Sequence, residues 1–250
     1  MTTLTIDDSQ RNAARVVGLT YLIAMFASVF TEVFVRGKLI VLGDPAATAR
    51  NIMAGERLFR VSIGIELLTF VGTVMLLAAL YVILRPVNPH LAFFAAALRL
   101  IEAATCVAMS LTSLDVLRLL SGADYLRAIE PAQLQAMARM SISAHATGYN
   151  VAFVFLGLGS TVFSWLWLKS GYIPRALALL GLLGSVLLAL GSFFIIIFPS
   201  LYRTLGGMAY MMPLGLFEVG MGVWLLLKGL QSATSSHNIH HAHPSTEADG

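Results

Sequence analysis

Residues 91–114 read LAFFAAALRLIEAATCVAMSLTSL, and this stretch decides the fold class. About 20 apolar residues in a helix cross the hydrocarbon core of a bilayer, so this run is predicted to be a transmembrane helix. Two ionisable residues, Arg99 and Glu102, stand one helical turn apart near its middle. Charged groups at such a depth are costly, and they indicate either an internal ion pair or a functional pathway.

The composition of the whole chain agrees with a membrane protein. Of the 250 residues, 58% are hydrophobic and 12% are charged, whereas soluble domains are about 25% charged. The mean hydropathy is +0.81. The net charge of +3 comes from Lys and Arg residues scattered at predicted helix ends. That pattern fits a lipid bilayer as the partner and argues against nucleic acid.

Five further segments match the opening stretch in length and hydropathy. The fold class is therefore predicted to be all-α, a polytopic integral membrane bundle of six transmembrane helices within residues 13–230. We expect a flexible N-terminus at residues 1–12 and a disordered tail at residues 231–250, which is rich in Ser and His. The predicted spans are residues 13–34, 61–84, 91–114, 146–168, 175–198 and 207–227.

The two long connections between spans are predicted to contain short helices. Asp44-Pro45 and Glu130-Pro131 each supply a polar residue followed by a proline, which is typical of a helix start. The helix after Pro131 carries an apolar face that suggests contact with the membrane surface, although an ordinary surface helix fits equally well.

The location is predicted to be the inner or plasma membrane of a cell. No basic segment precedes a short apolar core at the N-terminus, so we expect no cleavable signal peptide. Six spans place both termini on one side. The two long loops on the opposite side hold more basic residues than the side of the termini. A bare count of basic residues therefore places the termini outside the cell. Trp165 with Lys169, and Trp224 with Lys228, sit at helix ends like interfacial anchors, and we favour cytoplasmic termini.

Three ionisable residues are predicted to share one depth in the membrane. Counted from the side of the termini at about 1.5 Å per residue, Arg99 lies about 14 Å deep, Glu102 about 18 Å and Glu218 about 15 Å. We expect Arg99 to pair with Glu218, Glu102 or both. Two acids beside one cation leave a net negative charge, so one acid is expected to hold a proton. The trio is interpreted as a structural ion-pair lock or as a proton relay.

A second polar layer is predicted nearer the face opposite the termini. Glu32 and Glu66 both lie about 27 Å deep on the same count. Arg60 and His145 lie beyond them at that surface, and Tyr149 follows His145 at the start of the fourth predicted span. These five side chains are interpreted either as the lining of a vestibule or as ordinary residues of the headgroup region.

Other motifs carry little weight, and no catalytic residue can be named from them. Four histidines in the tail, His237, His240, His241 and His243, are a weak candidate for metal binding. Apart from that, no metal site and no cofactor are predicted. The chain has no metalloprotease, nucleophile-elbow or phosphate-loop motif.

Several stretches of the chain resemble a bacterial family of six-helix membrane proteins catalogued as domain of unknown function 4386. The resemblance covers roughly residues 11–230. It implies the six-helix fold and carries no activity or substrate with it. The stretches are ARVVGLTYL at 14–22, GDPAATARNI at 43–52, LFR at 58–60, YVILRPVN at 81–88, LRLIE at 98–102, HATG at 145–148, SGYIPR at 170–175 and EVGMGVWLLLKG at 218–229.

These observations favour a small transporter for a solute or for protons, with the Arg and Glu residues of the interior as its working groups. One alternative is a membrane-embedded enzyme that acts on a lipid-like substrate through Glu66, His145 and Arg60 near one interface. Another is a non-catalytic accessory protein whose charges serve only assembly. A bundle of this size is also compatible with a homodimer.

Overall fold

The computed structural model describes residues 6–204 and 209–231. Within these ranges every regular element is a helix. Six helices are long and apolar enough to cross a membrane, so the predicted membrane bundle is confirmed. They are Asp8–Leu39 (span 1), Glu56–Leu84 (span 2), Pro89–Leu120 (span 3), Pro131–Ser170 (span 4), Arg175–Ile197 (span 5) and Ala209–Leu227 (span 6).

Spans 1 to 4 begin before the predicted apolar runs, and polar side chains cap the earlier starts of spans 1 and 3. Span 1 begins at Asp8, where Asp7 and Gln10 form a reciprocal capping box. Gln10 is buried, and its Nε2 donates to the Ile83 carbonyl at 3.0 Å. Residues 8–12, predicted to be flexible, are therefore helical. The predicted tail lies outside the described residues beyond Gln231, and so do its four histidines.

The connections follow local capping chemistry. Between spans 1 and 2, the helix Pro45–Ala54 starts where the Asp44 side chain accepts a hydrogen bond from the Ala47 amide at 2.8 Å. The helix predicted after Pro131 is the first part of span 4, which runs unbroken for 40 residues. Span 4 ends at Gly171, whose φ of +66° only glycine adopts readily. Two short pieces complete the described chain, the 3₁₀ turn Asp124–Leu126 and the helix Leu201–Thr204.

The six spans form a closed ring. Each span packs against its neighbours in the chain, and span 1 also packs against span 6. Two glycines allow that last contact, because a Cβ on Gly18 would lie 3.0 Å from the Gly222 carbonyl and a Cβ on Gly222 would lie 3.0 Å from the Gly18 carbonyl. Buried polar side chains of spans 1 to 4 hydrogen-bond to one another across this ring.

Span 1 departs from a regular α-helix near its end. Residues Phe30–Arg36 form a π-helix, whose wider turns change the direction in which the following side chains point. Arg36 is turned inward and is only 5% exposed. The sequence places Arg36 in a loop after residue 34, and that placement is wrong because helical backbone continues to Leu39.

Candidate functional site

One group of polar side chains, the central cluster, surrounds Arg99 inside the ring. Arg99 Nε lies 3.6 Å from Glu102 Oε2 on the same helix. Arg99 Nη1 donates to Ser160 Oγ of span 4 at 3.4 Å. Gly159 gives the arginine its space, since a Cβ at that position would lie 2.7 Å from Arg99 Cγ. The stem of Arg99 is therefore packed directly against span 4.

Glu218 and Tyr21 complete the central cluster from spans 6 and 1. Glu218 is half-buried, and its charge lies within electrostatic range of Arg99 and Glu102. It makes no ion pair within 4.0 Å in the part of the chain that the structure describes. The Tyr21 hydroxyl lies within the same range of all three charged groups. The direct ion pair of this cluster is thus Arg99 with Glu102, inside a single helix.

A second group, the outer cluster, is organised by Arg36. The Arg36 guanidinium donates to Glu66 Oε1 from Nε at 3.3 Å and from Nη2 at 3.1 Å. Its Nη2 also donates to Ser113 Oγ at 3.0 Å. The guanidinium carbon lies 5.8 Å from the centre of the Phe59 ring. One buried arginine therefore connects spans 1, 2 and 3.

His145 extends the outer cluster to span 4. Its Nδ1 lies 3.2 Å from Ser113 Oγ and 3.1 Å from the Met109 carbonyl oxygen. A carbonyl oxygen can only accept, so Nδ1 carries the ring hydrogen of neutral His145. Tyr149 packs beside the ring, with 4.8 Å between the ring centres. His145 is therefore a donor to span 3 in this arrangement, and Ser113 accepts from Arg36.

Of the residues predicted for the outer layer, Arg60 lies apart from this network and Glu32 lies at its exposed edge. Arg60 is exposed and pairs with Glu56 on its own helix at 2.7 Å. Glu32 is 53% exposed, and its Oε2 lies 3.8 Å from Arg36 Nε. The cation of the layer is thus Arg36 instead of Arg60. The spacing of Glu32 and Arg36, four residues apart on a helix, is the sequence signal that indicates it.

Each cluster contains a buried carboxylate oxygen that accepts no hydrogen bond within the described residues. Glu66 Oε2 and Glu102 Oε2 are buried, and neither makes a hydrogen bond within the described residues. An unsatisfied buried polar atom costs about 1–3 kcal/mol, and more when it is charged. Across residues 6–204 and 209–231, no three His, Cys, Asp or Glu side chains come together as a metal ion would require.

The fold and the buried charges define a multi-pass helical membrane protein. The family model described as Domain of unknown function (DUF4386) matches residues 16–229, and the chain belongs to this family. The resemblance seen in the sequence is therefore confirmed. No curated protein and no solved structure matches the chain.

Proposed function

We propose that this protein is a small transporter that moves protons through the interior of the ring, alone or together with a small solute. The observation that carries the proposal is the pair of buried carboxylate oxygens that accept no hydrogen bond, Glu102 Oε2 in the central cluster and Glu66 Oε2 in the outer cluster. Burial favours the protonated form of a carboxyl group, because the neutral acid is far cheaper to bury than the carboxylate.

The two ion pairs differ in what they can do for stability. Arg36 and Glu66 sit on different helices, so their contact holds spans 1 and 2 together. Arg99 and Glu102 are three residues apart on one helix, and their contact joins no two spans. The central pair is therefore poorly suited to be the structural lock. This supports the relay interpretation for Glu102, with Glu218 as a second acid of the same cluster.

One face of span 3 runs from the central cluster to the outer cluster. Glu102, Cys106, Ser110 and Ser113 are all buried on it. The eleven residue steps from Glu102 to Ser113 correspond to about 16 Å along the helix axis. A proton taken up at one cluster thus has a defined helix face to follow towards the other.

A lipid-hydrolysing enzyme is less well supported. Such a mechanism would need a base that accepts the proton of a nucleophilic serine. Ser113 Oγ is 3.2 Å from His145 Nδ1. That nitrogen already holds its hydrogen towards the Met109 carbonyl, so it has no free lone pair for Ser113.

Proton flux into proteoliposomes tests the proposal. The purified protein is reconstituted with a pH-sensitive dye inside, and a potassium gradient with valinomycin drives protons inward. We expect flux above that of empty liposomes, and a decrease of about tenfold or more in Glu102→Gln and in Glu66→Gln. Glu56→Gln is the matched control, because this acid lies in an exposed pair on span 2. Wild-type flux equal to that of empty liposomes, or full flux in both buried variants, would refute the proposal.

A further inference from the structure

A small apolar layer lies between the two clusters. Phe70, Cys106 and Ala152 form a separate group of buried residues, contributed by spans 2, 3 and 4. Cys106 comes four residues after Glu102 and seven before Ser113. Phe70 and Ala152 likewise follow Glu66 and His145, towards the level of the central cluster, by about one and two helical turns.

The polar groups near this layer contact it without joining the two clusters. Cys106 Sγ lies 4.0 Å from Glu102 Oε1 of the central cluster, and Tyr149, beside His145, packs against the layer. Ser110 Oγ donates to the Cys106 carbonyl at 3.5 Å, and Thr73 Oγ1 donates to the Thr69 carbonyl at 3.1 Å. Both hydroxyls are thus engaged by their own helices. Among the described residues no side-chain hydrogen bond joins the central cluster to the outer cluster. The proton path is therefore interrupted at this level.

We propose that Phe70, Cys106 and Ala152 form a dry seal that makes the pathway selective for protons. The inference rests on the proposed function and adds the residues that determine its specificity. A hydrated metal cation loses its water shell at such a layer and finds no oxygen ligands there in return. A proton crosses when local opening admits a short chain of water molecules between Glu102 and Glu66.

Labelling of Cys106 can report whether water reaches this layer. Cys106 is the single cysteine of the sequence, and it is buried and unpaired. Maleimides react with the thiolate, which forms only where water reaches the sulfur. In folded wild-type protein we expect N-ethylmaleimide to leave Cys106 unlabelled, with complete labelling in denaturing detergent, as measured by intact mass. Rapid labelling of the folded wild type would overturn the seal.

Phe70→Ala tests which side chain closes the layer. Its labelling rate should rise by about tenfold or more, and its proteoliposomes should leak potassium, which those of the wild type retain. Phe163→Ala is the matched control, because Phe163 belongs to the larger apolar core on span 4. Equal labelling of both variants, or none in Phe70→Ala, would overturn the role of Phe70. If Phe70→Ala does not fold, Ala152→Ser takes its place with the same expected rise in labelling.

The labelling result does not depend on transport. A sealed Cys106 in a protein without proton flux would refute the proposed function and leave the dry layer standing. Proton flux together with rapid labelling of folded wild-type protein would refute the dry layer and leave the proposed function standing.

Discussion

At the scale of single residues, Arg36 has the largest structural role of the buried charges. Its guanidinium is bound by Glu66 of span 2 and Ser113 of span 3, and it lies over the Phe59 ring. Breaking a buried ion pair by removing one partner is strongly destabilising, because the other charge remains buried alone. Arg36 is therefore the residue where a structural lock is best supported.

Replacing Arg36 with Gln should lower the stability of the bundle. We expect a loss of about 3–5 kcal/mol, since Glu66 is left without its cation. Arg60→Gln removes an arginine from an exposed pair and should cost about 1 kcal/mol or less. Thermal unfolding in detergent, followed by the fraction of monodisperse protein, measures both variants.

The double variant Arg36→Met with Glu66→Met separates the cost of a lone charge from the cost of a lost contact. Removing both charges leaves neither one buried alone, so much of the lost stability should return. A double variant as unstable as Arg36→Gln, or an Arg36→Gln protein as stable as Arg60→Gln, would show that Arg36 is not the lock.

The depth of a residue in the membrane could be predicted from the sequence. The direction in which its side chain points, into the ring or out of it, could not. The rise per residue along a helix places Arg99, Glu102 and Glu218 at one level without knowledge of any neighbour. Which side chains face each other depends on the rotation of each helix and on the order of the ring. The sequence does not indicate that Arg36 is buried, because the apolar run stops before this residue. The π-helix then turns the Arg36 side chain inward. Arg60 has a suitable depth, but it points to the outside of the ring.

At the scale of helices, the closest approaches depend on glycines in spans 4 and 5. A Cβ on Gly157 would lie 2.5 Å from the Ala189 amide nitrogen, and one on Gly184 would lie 2.7 Å from the Leu214 nitrogen. Both obstacles are backbone atoms, which cannot move aside as a side-chain end can. The packing of spans 4, 5 and 6 therefore requires these two positions to lack a side chain.

Gly157→Ala should destabilise the protein by about 1–3 kcal/mol, because the helices must separate to admit the methyl group. Gly64→Ala is the matched control in span 2, where an added Cβ meets no atom within 4 Å. The control should keep or slightly raise the melting temperature, since alanine favours helix over glycine. Equal melting temperatures for the two variants would contradict this account of span packing.

At the scale of the molecule, the six spans of the described residues bring the start of span 1 and the end of span 6 to the same side of the membrane. Lys169 lies at the end of span 4 on this side, with its Nζ 5.2 Å from the centre of the Trp165 ring. Basic residues next to span ends favour the cytoplasm. We propose that both termini are cytoplasmic in the bacterial inner membrane.

Reporter fusions in bacterial cells test this orientation. Green fluorescent protein on the C-terminus should fluoresce, and alkaline phosphatase at the same point should be inactive. Fusions in the loop between spans 1 and 2, within residues 40–44, should give the opposite result. The reverse pattern at both points would place the termini outside.

The ring also has a consequence for how the protein is made. Spans enter the membrane in chain order, so Glu218 arrives last and the central cluster stays incomplete until span 6 closes against span 1. Span 3 must meanwhile reside in lipid with an arginine and an acid in its middle. The contact between Arg99 and Glu102 supplies each charge with a counter-ion from its own helix. Span 3 can therefore be inserted before its later neighbours exist.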